Sequence, residues 1–182
     1  MRLAEARVAA VFVGMALLPA CGTGEVIPAA APADVCSLLP RADLQTILPT
    51  VRVGTELGTG PFYPYMDGGD AWSLECDWDD SVSNPTGIGL YVQGALTRQG
   101  NADLDVAFDS IGGGPTQGTV VSGLGDEALY FDNSMGSQFL EARSGGYYVE
   151  LLAFKFASPV TEAQLQPLVL EAIVGLERRP TR

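Results

Sequence analysis

The sequence predicts an α+β fold: an antiparallel β-sheet of about five to six strands, with two to three helices packed on one face and one disulfide. Apolar and polar residues alternate over residues 71–78, which is typical of a half-buried strand. A sustained apolar stripe near the C-terminus predicts a long helix. The strand-like segments cluster instead of alternating strictly with helices, which favours an antiparallel sheet.

The strands are predicted from period-two alternation and from the turns between them. Trp72, Leu74, Cys76 and Trp78 share one register and therefore one face. A polar turn over residues 80–85 and a hairpin turn at 144–146 separate neighbouring strands. The further strands are predicted over residues 87–95, 119–121, 127–132, 139–143 and 147–156, with a short one over 50–57.

Three helices are predicted from apolar residues at helical spacing. The first covers residues 38–48, and the second is capped by Asn101 or Asp103. The third begins at a capping box formed by Thr161 and Gln164. Its apolar stripe consists of Leu165, Leu168, Val169, Ala172, Ile173 and Leu176.

The N-terminal segment is predicted to be an export signal. Residues 8–18 form an uncharged run of 11 residues, too short for a stable transmembrane helix. The following residues 18–21 (Leu-Pro-Ala-Cys) resemble a bacterial lipobox, so we expect cleavage after residue 20 and lipidation of Cys21. The alternative is an ordinary signal peptide with an incidental cysteine. The predicted organisation is a signal peptide over 1–20, a lipidated cysteine and flexible tether over 21–33, and one domain over 34–179.

Assignment of Cys21 to a lipid leaves an even pair of cysteines, Cys36 and Cys76. In an exported, oxidising setting such a pair predicts a disulfide. The alternatives are two separate thiols or a metal site. Two cysteines without histidine make a poor metal site, so we expect no metal.

Composition excludes several classes of function. The formal net charge of −12 leaves no electrostatic footprint for nucleic acid. The chain contains no histidine, which removes Ser-His-Asp and Cys-His catalysis. The carboxylates between Asp67 and Asp80 lack the spacing of an EF-hand, and no carboxylate pair stands out as a hydrolytic pair. We therefore expect no catalytic residues and no cofactor.

An aromatic segment is the candidate ligand-binding region. Phe62, Tyr63 and Tyr65 lie in a Gly-rich stretch close to Trp72. Aromatic loops commonly line ligand grooves or partner surfaces. The alternative is that this segment folds back over the sheet and covers the core.

Short motifs along the chain together resemble a known family. Residues 36–40 (Cys-Ser-Leu-Leu-Pro) lead a predicted helix, and residues 75–78 (Glu-Cys-Asp-Trp) lie in the first strong strand. Residues 123–128 (Gly-Leu-Gly-Asp-Glu-Ala) precede an apolar strand pair. The arrangement resembles actinobacterial cell-envelope lipoproteins that carry a domain of unknown function, the mycobacterial LprB-like group, over most of residues 34–177. It is also similar to extracellular sensor domains of bacterial receptor Ser/Thr kinases, which typically carry a second disulfide.

The resemblance implies a single α+β domain with a Cys36–Cys76 bridge and supplies no catalytic set. We expect an extracytoplasmic lipoprotein, held to the membrane through Cys21, that acts as a non-catalytic binding or sensor-like module. Its partner would be a small apolar ligand or an envelope protein. The alternatives are an accessory module that contacts another envelope protein and, last, a carboxylate-based hydrolase.

Overall fold

A computed structural model describes residues 28–52, 54–56, 70–81, 86–111, 118–133 and 135–178. These residues form a seven-stranded antiparallel sheet and several helices, which confirms the predicted α+β class. The strands are β1 (Thr55–Glu56), β2 (Ala71–Asp79), β3 (Gly87–Ala95), β4 (Thr119–Val120), β5 (Glu127–Asp132), β6 (Gln138–Ser144) and β7 (Tyr147–Phe154). The helices are a 3₁₀ turn (Val35–Leu38), α1 (Arg41–Leu44), α2 (Arg98–Ile111) and α3 (Glu162–Glu177).

The strand order is β1-β2-β3-β7-β6-β5-β4, so the last strand in sequence lies at the centre of the sheet. The β2–β3 and β6–β7 pairs follow the two predicted turns. Strands β1 and β4 at the two edges are two residues long each. Short edge strands of this kind offer few unpaired backbone groups to another chain.

The central strands are buried on both faces, and the helices divide between those faces. Val149 and Leu151 of β7 point into the larger core, which includes the apolar stripe of α3. Tyr148, the residue before Val149 on the same strand, points to the opposite face and belongs to a second core with Leu104 and Phe108 of α2. Helix α2 thus departs from the expected placement of the helices on one face. The physical reason is that both alternating sets of side chains on β7 need cover from water.

Pro40 splits the first predicted helix into two short pieces. Leu39 is extended, with φ −115° and ψ 106°, because a residue before proline is disfavoured in the helical region. A 3₁₀ turn therefore precedes Pro40, and α1 covers only four residues after it. Leu38 and Leu44 are nevertheless buried in the core on the α3 side, as their apolar spacing requires.

The other two helices begin at side-chain caps. Helix α2 starts earlier than predicted because the Thr97 hydroxyl accepts the Gly100 backbone N–H at 3.1 Å. Helix α3 starts at the predicted capping box, where Gln164 Oε1 accepts the Thr161 backbone N–H at 3.0 Å. No helix in the described ranges is long and apolar enough to cross a membrane.

A disulfide joins the N-terminal segment to the sheet. Cys36 and Cys76 are bonded, with their Cα atoms 5.3 Å apart, as the even pair of cysteines predicts. Cys76 is fully buried and points to the same face as α3. The bond therefore holds the 3₁₀ turn against the face of the sheet that carries the larger core.

The side chains of Trp72 and Tyr147 hold residues 29 and 30 at the end of the sheet through hydrogen bonds, an arrangement named here the aromatic clasp. The Trp72 indole N–H donates to the Ala29 carbonyl at 2.8 Å, and the Ala30 N–H donates to the Tyr147 hydroxyl at 3.1 Å. The Ala29 N–H donates to the Ala95 carbonyl at 2.8 Å. Residues 29 and 30 lie in the range 21–33, for which the sequence predicts a flexible tether. They nevertheless belong to the packed part of the chain, because their backbone groups form hydrogen bonds with the sheet.

Loss of the disulfide should destabilise the fold strongly. In the chain-entropy account, a bridge closing a loop of this length contributes about 4 kcal/mol. The Cys36→Ala/Cys76→Ala variant is therefore expected to unfold at a much lower urea concentration than the parent. Non-reducing peptide mapping should recover the cross-link in the parent, and Cys21→Ser should leave the urea midpoint unchanged. Free thiols at both positions, or an unchanged midpoint in the double variant, would contradict this assignment.

The aromatic clasp makes a local prediction. Trp72→Phe keeps an aromatic ring but removes the donor to Ala29, a loss of about 1 kcal/mol. Hydrogen exchange of the Ala29 amide should become faster in this variant. Tyr130→Phe is the matched control, because it removes a donor to the Val160 carbonyl at 2.7 Å elsewhere in the fold. Equal acceleration at Ala29 in both variants would show global loosening instead of a clasp.

Candidate functional site

Most residues predicted from sequence to form a site lie outside the described part of the chain. These are the lipidation residue Cys21 and the aromatic residues Phe62, Tyr63 and Tyr65. Trp72, the fourth predicted ligand-binding residue, is half-buried and engaged in the clasp with Ala29. Its ring makes an edge contact with Tyr147, with centroids 6.2 Å apart, and lies over the Cα of Gly94 on the next strand. Trp72 therefore has a structural role that its position in the sequence did not indicate.

A groove of about 450 Å³ lies beside the disulfide and is named here the arginine groove. This volume is within the range of small-ligand pockets. One wall comes from the 3₁₀ turn and the residues around it, and the other from β2 and the segment before β1. The residues that shape it include Asp34, Cys36, Leu39, Arg41, Arg52 and Trp78. Because Cys36 is bonded to Cys76 of β2, the disulfide fixes the two walls relative to each other.

The two guanidinium groups of the arginine groove are held in different ways. Arg41 Nη2 donates to the Val51 backbone carbonyl at 2.6 Å, which places it one residue from Arg52. Arg52 Nη1 forms an ion pair with Asp79 at 3.2 Å, and the Arg52 backbone N–H donates to the Asp79 carbonyl at 2.9 Å. The Arg41 contact joins residues 10 positions apart, whereas the Arg52 contacts reach Asp79, 27 positions away, so tertiary structure fixes where Arg52 lies.

A second groove, of about 460 Å³, lies between α1 and α3. Ile47, Pro167 and Leu168 supply apolar surface, whereas Asp43 and Glu171 supply carboxylates. Its charge is therefore opposite to that of the arginine groove. A carboxylate-lined groove would repel anionic molecules, and nothing else in the described residues selects a cationic one.

A row of acidic and tyrosine side chains crosses four strands on the α2 side of the sheet. Strand register places Glu75 opposite Tyr91, Tyr91 opposite Glu150, and Glu150 opposite Glu141. We name these four residues the acid–tyrosine row. Glu141 and Glu150 are both buried, and directly opposite side chains on paired strands have Cβ atoms about 5 Å apart. Two carboxyl groups thus share one buried site.

Burial sets the protonation of this carboxyl pair. The pKa of Glu141 is raised to about 9, first because its carboxyl is desolvated and second because Glu150 is negatively charged. A hydrogen-bonding interaction with Tyr148 acts in the opposite direction, although that hydroxyl also donates to Glu150 Oε2 at 2.9 Å. Glu141 therefore keeps its proton at neutral pH, which avoids two adjacent buried negative charges.

The same face carries a buried cation that attaches α2 to the sheet. Arg143 Nη2 forms an ion pair with Asp105 of α2 at 2.7 Å and donates to Asn101 at 3.1 Å. Arg143 Nη1 also donates to the Tyr147 carbonyl at 2.8 Å. These acceptors satisfy the guanidinium group, as a buried charge requires.

The acid–tyrosine row has the composition of a catalytic site but not its accessibility. Glu141 is 0% exposed and Glu150 is 6% exposed, so a substrate has no route to this pair in the described structure. The described residues also contain no group of three side chains suited to hold a metal ion. The row therefore contains a buried carboxyl pair in the core, of which Glu141 keeps its proton. Sequence alone did not single it out, because Glu141 and Glu150 become neighbours only through strand register.

The buried pair predicts a pH-dependent stability. Unfolding returns Glu141 to its ordinary pKa near 4.5, so the native state holds a proton that the unfolded chain releases between that value and about 9. The free energy of unfolding should therefore fall as the pH rises through this interval. Urea midpoints measured at pH 5.5 and 8.5 would show the difference.

The control for this pH effect is Glu141→Gln, which supplies a permanently neutral side chain of nearly the same shape. We expect this variant to lose much of the pH dependence and to be more stable than the parent at pH 8.5. Glu171→Gln, on the exposed side of α3, should behave like the parent. An unchanged slope in Glu141→Gln would contradict the assigned protonation.

Comparisons with known proteins add no relative. The chain matches no protein-family model, and neither the curated proteins nor the solved structures include a significant match.

Proposed function

We propose that this chain is a lipid-anchored, extracytoplasmic binding module without catalytic activity. The observation that carries the proposal is the use of the three cysteines. Cys36 and Cys76 are bonded to each other, which is typical of proteins in an oxidising compartment. Cys21 remains, directly after an apolar segment that resembles a lipobox.

The tether supports a position close to the membrane. Ala29 is clasped to the sheet, and it lies only eight positions after Cys21 along the sequence. Even a fully extended chain of that length spans about 28 Å. A domain anchored through Cys21 would therefore stay within reach of the bilayer surface, with the clasped end of the sheet nearest to it.

Two features favour binding over chemistry. The carboxyl pair of Glu141 and Glu150 is buried in the core and serves no accessible reaction centre. The arginine groove has the volume of a ligand site and rigid walls, since Cys36 and Cys76 cross-link them.

A contact role in a larger envelope assembly is the second candidate. Leu170 on α3 is 46% exposed, although most large apolar side chains of this helix are buried. It lies three residues after Pro167, which lines the second groove. Exposed apolar surface beside a groove is a common feature of protein contact sites.

The anchor is tested by labelling with a clickable fatty acid in a bacterium that exports and lipidates proteins. We expect the full chain to carry the label and to sediment with membranes, because two acyl chains bind a bilayer stably. Cys21→Ser should lose the label and leave the membrane fraction, whereas Cys36→Ser should keep the label. Label that persists in Cys21→Ser, or a parent chain that remains unlabelled, would overturn the proposal.

A further inference from the structure

We propose that the arginine groove binds a small molecule carrying a carboxylate or phosphate group on an apolar body. This inference rests on the proposed binding function and names the class of ligand. It is argued from charge, hydrogen bonding and the apolar surface of the groove.

The charge of the groove is unusual for this chain. After removal of residues 1–20 the formal net charge is −13, with eight arginine and lysine residues left. Two of them, Arg41 and Arg52, line this one groove. An anion approaching the protein would be repelled by most of its surface. This groove repels it less, because Arg41 and Arg52 line it, although Arg52 is paired with Asp79 and the Asp34 carboxylate lines the groove too.

Arg41 is oriented without being neutralised. Its Nη2 is fixed by the Val51 carbonyl, a neutral acceptor, at 2.6 Å. The ion pairs within the described ranges are Arg52–Asp79 and Arg143–Asp105, and Arg41 belongs to neither. Asp34 lines the same groove but forms no ion pair with Arg41 there. A guanidinium group offers five N–H donors in a planar fork, so Arg41 has further donors for a bidentate oxyanion.

The remaining surface suits an apolar body. Leu39 and Trp78 line it with the small exposed parts of buried side chains, 2% and 4% exposed, and Cys36 contributes part of the disulfide. Trp78 is buried. A side chain at position 54 would collide with the Trp78 indole and with Cys76 Sγ, so Gly54 packs directly against both residues and helps to hold Trp78 in place. A ligand with one charged end and one apolar end would match both parts of the groove.

The geometry distinguishes this groove from the one between α1 and α3. That groove has a similar volume, but its charged residues are Asp43 and Glu171. Of these two grooves, only the arginine groove is lined by cationic side chains that suit an oxyanion.

Calorimetric titration of the detergent-solubilised full chain tests the inference with three probes. They are 4-phenylbutyrate, phenyl phosphate and the neutral 4-phenylbutyramide. We expect at least one anion to bind at least tenfold more tightly than the amide, and the stronger anion identifies the preferred group. Arg41→Gln should weaken binding of that anion about tenfold or more, equivalent to about 1.4 kcal/mol.

Arg178→Gln is the matched control, because it makes the same charge change at the exposed end of α3. It should leave the affinity unchanged. Arg52→Gln removes the second cation of the groove without touching the Arg41–Val51 hydrogen bond, so it provides an independent variant if Arg41→Gln folds poorly. Arg41→Lys keeps the charge but loses the fork and should bind with intermediate affinity.

Two results would overturn the inference. The first is that 4-phenylbutyramide binds as tightly as the two anions and that neither Arg41→Gln nor Arg52→Gln changes the affinity. The proposed binding function would then stand, but with a different class of ligand. The second is the absence of binding for all three probes. Fatty-acid labelling of Cys21 tests the lipid anchor independently of ligand binding. Failure of the proposed anchor can therefore be distinguished from failure of the proposed ligand class.

Discussion

The bond between Cys36 and Cys76 joins two parts of the chain 40 residues apart in sequence, and the face of the sheet on the α3 side depends on it. The segment before β1 contains only short helical pieces, because Pro40 prevents one continuous helix. Such pieces have little stability of their own. They stay in place because Val35 and Leu44 are fully buried and because the cross-link holds their start against β2. The same cross-link creates the walls of the arginine groove, so stability and a candidate binding site share one covalent constraint.

The second constraint is that a central strand has two faces to bury. Strand β7 is paired on both sides, and its two alternating sets of side chains meet different cores. On the sheet as a whole, the face toward α3 is mostly apolar and carries the buried polar residues Gln138 and Ser144, whereas the face toward α2 includes Glu141, Arg143 and Glu150. Arg143 is compensated by ionic and hydrogen-bond partners on α2, while Glu141 avoids the cost of a buried charge by keeping its proton. These two buried groups thus avoid the penalty in different ways, Arg143 through partners and Glu141 through its proton.

The elements that sequence predicted well are those specified by local patterns. The alternation in β2, the hairpin turn at Gly145 and the capping box at Thr161 each require only a few neighbouring residues. The disulfide was also predictable, because the expected lipidation of Cys21 leaves one even pair of cysteines. What sequence could not supply is anything that depends on which strands are neighbours.

Two features that sequence missed depend on contacts between distant segments in this way, whereas the Thr97 cap is a local choice among neighbouring residues. The Thr97 cap was overlooked because Asn101 and Asp103 are also suitable cap residues, and only the start of the helix decides among them. Trp72 looked like a ligand-binding aromatic, but its donor is used by Ala29, 43 residues away in sequence. The arginine groove was invisible for the same reason, since Arg41 and Arg52 meet Trp78 only after β2 and the 3₁₀ turn are brought together.

The clasp and the groove together define a direction for the domain. Trp72 holds the N-terminal segment at one end of β2, whereas Trp78 lies at the groove near the other end. Six residues of extended strand separate them, a distance of about 20 Å. The extended tether reaches about 28 Å, so a chain anchored through Cys21 would hold the clasped end nearest the bilayer, with the arginine groove farther out, only when the tether is contracted. In that orientation the groove meets molecules of the extracytoplasmic space or the envelope, whereas lipid headgroups of the anchoring bilayer lie at the opposite end. The anionic ligand that fits the two arginines would accordingly be a soluble or wall-associated molecule, for which a short tether and a rigid, cross-linked groove are a sufficient design.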